Sequence, residues 1–149
     1  GIRIGLTFAK VMAQVLKKDI VAVSSLKACA IKEDGLVGSI IDARRGLIYA
    51  CLMEDGKVLM DDTIIELEKF KDIVGDRKIT LQGVDAKKFI HEFKNAKLGK
   101  ELQMNAYYIA LLGLKKFKEV GGDDFYKLVP NYLKLSQAVK NYADKNKTC

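Results

Sequence analysis

Val37-Gly38-Ser39-Ile40-Ile41-Asp42, Ala43-Arg44-Arg45-Gly46 and Leu47-Ile48-Tyr49-Ala50-Cys51-Leu52-Met53 follow one another without interruption. The two outer runs are short and apolar, which predicts strands. The Arg-Arg-Gly between them predicts a tight turn. Glu54-Asp55-Gly56 repeats the turn signal, and residues 57–60 predict a third strand. An antiparallel meander is therefore expected over 37–60. Beyond it, residues 65–74 predict an amphipathic helix, 78–81 a strand, and Asp85 the cap of a helix running to Phe93. A weak strand is expected near Leu102. Residues 104–120 predict a longer helix closed by Gly121-Gly122. The chain then runs through Leu128-Val129-Pro130 and Tyr132-Leu133 into a basic, Lys/Asn-rich end.

Three antiparallel strands, then helix, strand, helix, strand and helix, is the order of the ribonuclease H-like unit. Joined pairs of that unit make the actin/hexokinase/Hsp70-like superfamily. The expected fold class is thus α/β, a mixed sheet with flanking helices. Upstream of the meander lies the last helix–strand–helix of a second unit. Residues 2–18 carry a helical period, with Ile4, Phe8, Val11, Met12 and Val15 on one stripe. Leu6, Ala9, Ala13 and Leu16 form a smaller stripe roughly opposite. Arg3, Lys10, Gln14 and Lys17 take the remaining side. A helix with two apolar faces is expected to be sandwiched, unless both belong to one wide core face. Residues 20–23 predict a short strand, and Ser24-Ser25 the cap of a helix through Ala30. Glu33-Asp34-Gly35 marks a boundary. The expected division is a remnant of an N-terminal lobe at 1–33, a ribonuclease H-like lobe at 34–135 and a basic tail at 136–149.

The totals bound the function classes. At 149 residues the chain suits about one domain. It is 49% hydrophobic and 30% charged, which is ordinary for a globular protein and not for a disordered one. No apolar run reaches the roughly 18–20 residues that a bilayer span needs. No secretory signal is visible, so a cytoplasmic location without a membrane contact is expected. Cys29, Cys51 and Cys149 are odd in number and widely spaced, which fits neither a disulfide framework nor a zinc pattern. Cys29 and Cys51 sit in apolar runs, as buried small hydrophobes do. The net charge of +7 favours polyanions as neighbours, but its lysines are spread evenly.

Candidate chemistry is sparse. His91 is the only histidine, too few for a histidine-based metal site or a catalytic triad with its own elbow sequence. Neither of the common glycine-rich phosphate loops occurs. A two-metal nuclease needs several converging carboxylates. Asp42 ends the first strand and Asp85 follows the fourth, but the second strand contributes no acid. The local alternative for Asp42 is to hold its own turn or pair with Arg44 or Arg45. No catalytic residue, metal or cofactor is expected.

Four segments carry a family resemblance. Gly1-Ile2-Arg3-Ile4-Gly5-Leu6-Thr7-Phe8-Ala9-Lys10 resembles the LRIG segment of the TsaB (YeaZ) family, and Val21-Ala22-Val23-Ser24-Ser25-Leu26 the VSSL after it. Ile41-Asp42-Ala43-Arg44-Arg45-Gly46-Leu47-Ile48-Tyr49 is similar to the family's DARRGEVY, and Val129-Pro130-Asn131-Tyr132-Leu133-Lys134 through Ala138 to its closing PxYLRxxxA. The family departs here at Lys134, usually Arg, and at Leu47, where an acid is common. The resemblance implies a non-catalytic subunit of the system that makes threonylcarbamoyladenosine in tRNA. Its implied partners are a TsaD-like catalytic subunit and a TsaE-like ATPase, with any tRNA contact at most indirect. The family's glycoprotease label would then be inherited, without an activity behind it. A hydrolase, either peptidase or nuclease, and a direct RNA-binding module are the alternative readings. The resemblance also implies that the chain opens at the last glycine of a glycine-rich segment and lacks the first strands of the N-terminal lobe. The implied partner interface is the helix carrying Ile4, Leu6, Phe8, Ala9, Val11, Met12, Ala13, Val15 and Leu16. A homodimer through the same helix is expected where the Ile4/Phe8/Val11/Val15 stripe stays open. Asp42, Arg44, Arg45, Tyr49, Pro130 and Tyr132 are family-motif residues to which the resemblance assigns no chemistry.

Overall fold

The computed structural model describes residues 1–133. The expected tail at 136–149, with Lys134 and Cys149, lies outside the described residues. The meander forms as three strands: β1 (Leu36–Arg44), β2 (Leu47–Glu54) and β3 (Lys57–Glu66). It is followed by a helix at Leu67–Val74, β4 (Ile79–Gln82), a short helix at Ala86–Phe89 running into a 3-10 turn at Ile90–Glu92, and β5 (Ala96–Leu98). In chain order the helices are α1 (Ile2–Leu16), α2 (Ser25–Ala30), α3 (Leu67–Val74), α4 (Ala86–Phe89) and α5 (Ala106–Val120). The strands make one sheet in the order β3-β2-β1-β4-β5. β1–β2 and β2–β3 are antiparallel, while β1–β4 and β4–β5 are parallel. That is the mixed sheet of the ribonuclease H-like unit.

Both faces of the central strands are buried, so side chains alternate between two cores. On one face Ile40, Ile48, Ala50, Leu52, Ile79 and Leu81 meet Phe70 and Val74 of α3. On the other, Val37, Cys51 and Met53 meet Leu26 and Ala30 of α2. Gly38 makes room on the first face. A Cβ there would stand 2.9 Å from Ile79 Cδ1 and 3.1 Å from the Phe70 ring. Ser24 caps α2 as its sequence predicts, its Oγ accepting from Lys27 N at 3.1 Å.

Four local expectations change. Residues 20–23 have no strand neighbour among the described residues and form no ladder. The last strand is Ala96–Leu98, earlier than the Leu102 region, and Leu102 instead packs against the α3-side core. The third strand extends to Glu66, because residues 63–66 keep pairing with β2 where a helix was expected from 65. Asp85 makes no side-chain cap bond to α4, since its carboxylate accepts from Asp42 N instead. No helix among the described residues is long and apolar enough to cross a membrane.

The crossing from β4 to α4 depends on Gly83. Its φ is +105°, and a Cβ there would collide with the Ile40 carbonyl oxygen of β1. Gly83→Ala should therefore cost about 2–5 kcal/mol, from backbone strain together with overpacking. Urea unfolding measures it, and a cost under about 1 kcal/mol would show that β1 and β4 can separate freely at this point.

Candidate functional site

The described residues divide into a well-buried body and a loosely buried flank. α1 belongs to the flank, and none of its residues is buried. Leu6, Lys10 and Ala13 turn toward the body and are half-buried. Ile4, Phe8 and Val15 turn outward and are 76%, 67% and 71% exposed. Val11, Met12 and Leu16 are exposed beside them, and so is Ala9. The two predicted stripes thus differ. The first faces away from the body, and of the second only Leu6 and Ala13 approach it.

Polar ties hold α1 instead of a core. Arg3 Nε donates to the Tyr132 hydroxyl at 2.9 Å, with the guanidinium 5.5 Å from the ring centroid. Lys10 Nζ donates to the Leu128 carbonyl at 3.0 Å and lies 5.7 Å from the Phe125 ring centroid. The following segment is tied in the same way. Asp123 N donates to Ile20 O at 2.8 Å, and Asp123 Oδ2 accepts from Ala22 N at 2.6 Å. Lys116 Nζ reaches Ala22 O at 3.0 Å and both Asp123 oxygens at 2.8 Å. Residues 122–133 therefore act as a strap that carries α1 on the body. At the far end of α1, Lys17 takes φ 50° and Lys18 N donates back to Ala13 O, so the helix closes without a glycine.

The four family-like segments meet at this strap. Ser25, Leu26, Ile41, Tyr49, Asn131, Tyr132 and Leu133 line a cleft of about 250 Å³. They come from three of the segments, and Arg3 of the fourth bonds Tyr132. Pro130 is half-buried in an adjoining hollow lined also by Ile2, Leu6, Ala22 and Val23. Sequence reasoning named Tyr49, Pro130 and Tyr132 but missed Arg3, Ser25 and Asn131, which lie 3, 25 and 131 along the chain. Only the fold brings them together.

The Asp42 region is a separate structure at the end of β1. Arg45-Gly46 form the hairpin turn, with φ 57° and 74°, after a register shift between Asp42 and Arg44, whose φ is 66°. Asp42 Oδ1 accepts from Arg44 N at 2.7 Å, and its other oxygen pairs with Lys88 of α4. Lys88 first, and then the Arg44 N–H, hold the Asp42 carboxyl below the ordinary carboxylate range. The sequence pointed to the turn backbone but not to Lys88, 46 positions away. Asp85 does reach Asp42, through the Asp42 N–H at 2.8 Å. Among the described residues no three His, Cys, Asp or Glu side chains are grouped as a metal site would need. Burial pushes the Cys51 thiol up to about 12 and raises that of Cys29, so neither is held as a thiolate near neutral pH.

The sheet order and connections define a ribonuclease H-like unit of the actin/hexokinase/Hsp70-like class. Residues 1–140 match the family model described as "TsaD: tRNA N6-adenosine threonylcarbamoyltransferase". A tRNA threonylcarbamoyladenosine biosynthesis protein TsaB from Bacillus subtilis (strain 168) is 34% identical over 163 residues, which take in 99% of this chain and 69% of that protein. Two solved structures from Pseudomonas aeruginosa share the fold. One is described as an uncharacterized protein with similarity to peptidase YEAZ, at TM-score 0.73 and 20% identity over 90% of this chain and 68% of that one. The other is YeaZ, at TM-score 0.68 and 19% identity over 89% and 68%. The chain belongs to the TsaB (YeaZ) family.

The strap's main electrostatic tie titrates. Lys116 first, and then the Ala22 N–H, hold the Asp123 carboxyl below the ordinary carboxylate range. A carboxyl depressed on folding contributes stability in full above its unfolded value near pH 4. That contribution is lost as pH falls through the lower folded value. The unfolding free energy of wild type minus that of Asp123→Asn should be constant from about pH 7 to 5 and shrink below about pH 4. Urea titrations at each pH measure it, and a difference that stays level down to pH 2 would remove Asp123 from the account.

Proposed function

We propose that this chain is a non-catalytic subunit in the synthesis of tRNA threonylcarbamoyladenosine. In this reading it docks the outward face of α1 on a TsaD-like catalytic subunit. The observation that carries it is α1 itself. Ile4, Phe8, Val11, Met12, Val15 and Leu16 are among the large apolar side chains exposed on a 15-residue helix with no buried residue. A helix of that length spans about 22 Å, and an apolar surface so arranged is the usual mark of a protein contact. The role of the Bacillus subtilis relative in threonylcarbamoyladenosine biosynthesis supports the pathway, and the TsaD family matched by residues 1–140 supports the kind of partner.

A subunit without its own chemistry also accords with how the acidic and thiol groups are used. Asp42 is engaged by Lys88 and Arg44 N, Asp85 by Asp42 N, and both buried cysteines are held as neutral thiols. The peptidase similarity in one neighbour's description has no counterpart in an activated nucleophile among the described residues. In this reading a TsaE-like ATPase joins through the complex, and tRNA is contacted through the catalytic subunit.

Capture by an immobilised TsaD-like subunit from the same organism tests the reading. Phe8→Asp and Val15→Asp should each weaken binding by about tenfold or more. Their own stability should change by under about 0.5 kcal/mol, because both side chains are exposed. Capture at wild-type strength by both variants would place the contact elsewhere. No capture of the folded wild-type chain would sink the partnership.

A further inference from the structure

We propose that a groove across the starts of β4 and β5 binds a small organic carboxylate. The inference does not rest on the α1 contact proposed above.

The sheet register puts the binding groups on one face. Thr80 of β4 stands between Val37 of β1 and Lys97 of β5. Val37 belongs to the α2-side core, so Thr80 and Lys97 take that side as well. Lys78 comes two residues before Thr80, roughly 6.6 Å along the strand, and is placed on the same face. Ile79 N, between them, donates to Asn95 O at 3.1 Å, which keeps the two chain segments side by side below the ladder. α2 packs mainly on β1 and β2. This end of β4 and β5 is therefore the floor of a groove of about 450 Å³, a size that suits a small molecule.

The lining carries charge that the fold does not use. Among the described residues neither Lys78 nor Lys97 has an ion-pair partner, whereas nearby Lys94 pairs with Asp76 at 3.4 Å. A lysine on an edge strand guards against stray pairing. That accounts for Lys97 on β5 but not for Lys78, which leads into an inner strand. Thr80 lines the same groove and is 2% exposed, and its hydroxyl has no hydrogen-bond partner among the described residues. A hydroxyl in that position gains from a ligand that bonds it. Two ammonium groups and a hydroxyl on one face suit an anion. Asp34 on the rim opposes them, so the lining keeps a single net positive charge. That balance matches a singly charged carboxylate better than a doubly charged phosphate. Gly35, Leu36, Ile79, Ala96 and Asn95 complete the lining without charge and leave room for the organic part.

The groove is also formed in advance. Gly35 N donates to Asp55 Oδ1 at 2.8 Å, and Gly35 O accepts from Asp55 N at 3.1 Å. At the other rim Asn95 Nδ2 donates to Asp76 O at 2.8 Å. Both rims are thus fixed without a ligand, which lowers the cost of binding one. All the walls come from the buried body. The start of α1 lies at the opposite edge of the sheet, where Ile2 shares a hollow with Asp62 of β3.

The test is a titration followed by backbone amide NMR shifts, with benzoate and then with inorganic phosphate, at constant ionic strength. Benzoate should give saturable shifts at Thr80 and Lys97, and phosphate should bind about tenfold more weakly or less. Lys78→Gln and Lys97→Gln should each weaken benzoate by about tenfold, and Thr80→Val by about threefold, while Thr80→Ser keeps the affinity. Asp34→Asn should tighten both anions and narrow the preference between them. Lys78, Lys97 and Asp34 are exposed, so their variants should fold as wild type does. The proposal is overturned by the absence of saturable shifts through the millimolar range, or by benzoate affinity that both lysine variants leave unchanged. Phosphate binding as tight as benzoate would overturn the assignment to a carboxylate.

Discussion

The burial of β1 on both faces is the constraint from which the rest of the structure follows. β1 bonds to β2 antiparallel along one edge and to β4 in parallel along the other. Leu36 and Ile40 enter one core, while Val37 enters the second. A strand in that position must be covered above and below, which fixes α3 on one face and α2 on the other. It also admits little side-chain volume. Gly38 stands where α3 presses on the sheet, and Gly83 where the turn after β4 runs against the Ile40 carbonyl. Moving either contact by the width of a methyl group would separate a helix or a strand from β1.

This constraint explains what the sequence made legible. Runs such as 47–53, bounded by glycine turns, could only be strands, and their order determined the unit. Strand ends were less legible because they are decided across the sheet. Residues 63–66 have mixed polarity that suits a helix start, yet β2 offers each of them a partner as far as Glu66. Ile20-Val21-Ala22-Val23 is the reverse case. Its composition is that of a strand, but a ladder needs a neighbour, and among the described residues its partners are Asp123 of the strap and Lys116 of α5. Local pattern reports the willingness of a segment to pair and is silent on whether a partner is there.

The polar sites were less legible for a related reason. Asp42 was readable as a turn residue because its partner Arg44 lies two positions on. Lys88 was not, because it arrives from α4 only after β4 has been laid beside β1. Arg3 and Tyr132, 129 positions apart, carry no mutual signal in one sequence. Each is an ordinary surface residue until the strap brings residues 130–133 back over α1.

The same comparison bears on whether the family motifs hold groups for chemistry or hold the fold together. A catalytic motif keeps polar atoms open toward a substrate and shifts at least one of them toward reactivity. Here the motif atoms that the fold brings together are largely spent on one another: Arg3 on Tyr132, Asp42 on Lys88 and Arg44, Ser24 on the first turn of α2. The shifts that accompany them go with ion pairs at Asp42 and Asp123 and with the burial of the Cys29 and Cys51 thiols. What these contacts achieve is placement. They fix the strap, the strap fixes α1, and α1 turns its apolar face to solvent with little core of its own behind it. A helix held by exposed polar ties can adjust its seat at small cost, whereas one held by a packed core cannot. That mechanical property is what the proposed docking of α1 on a partner would call on.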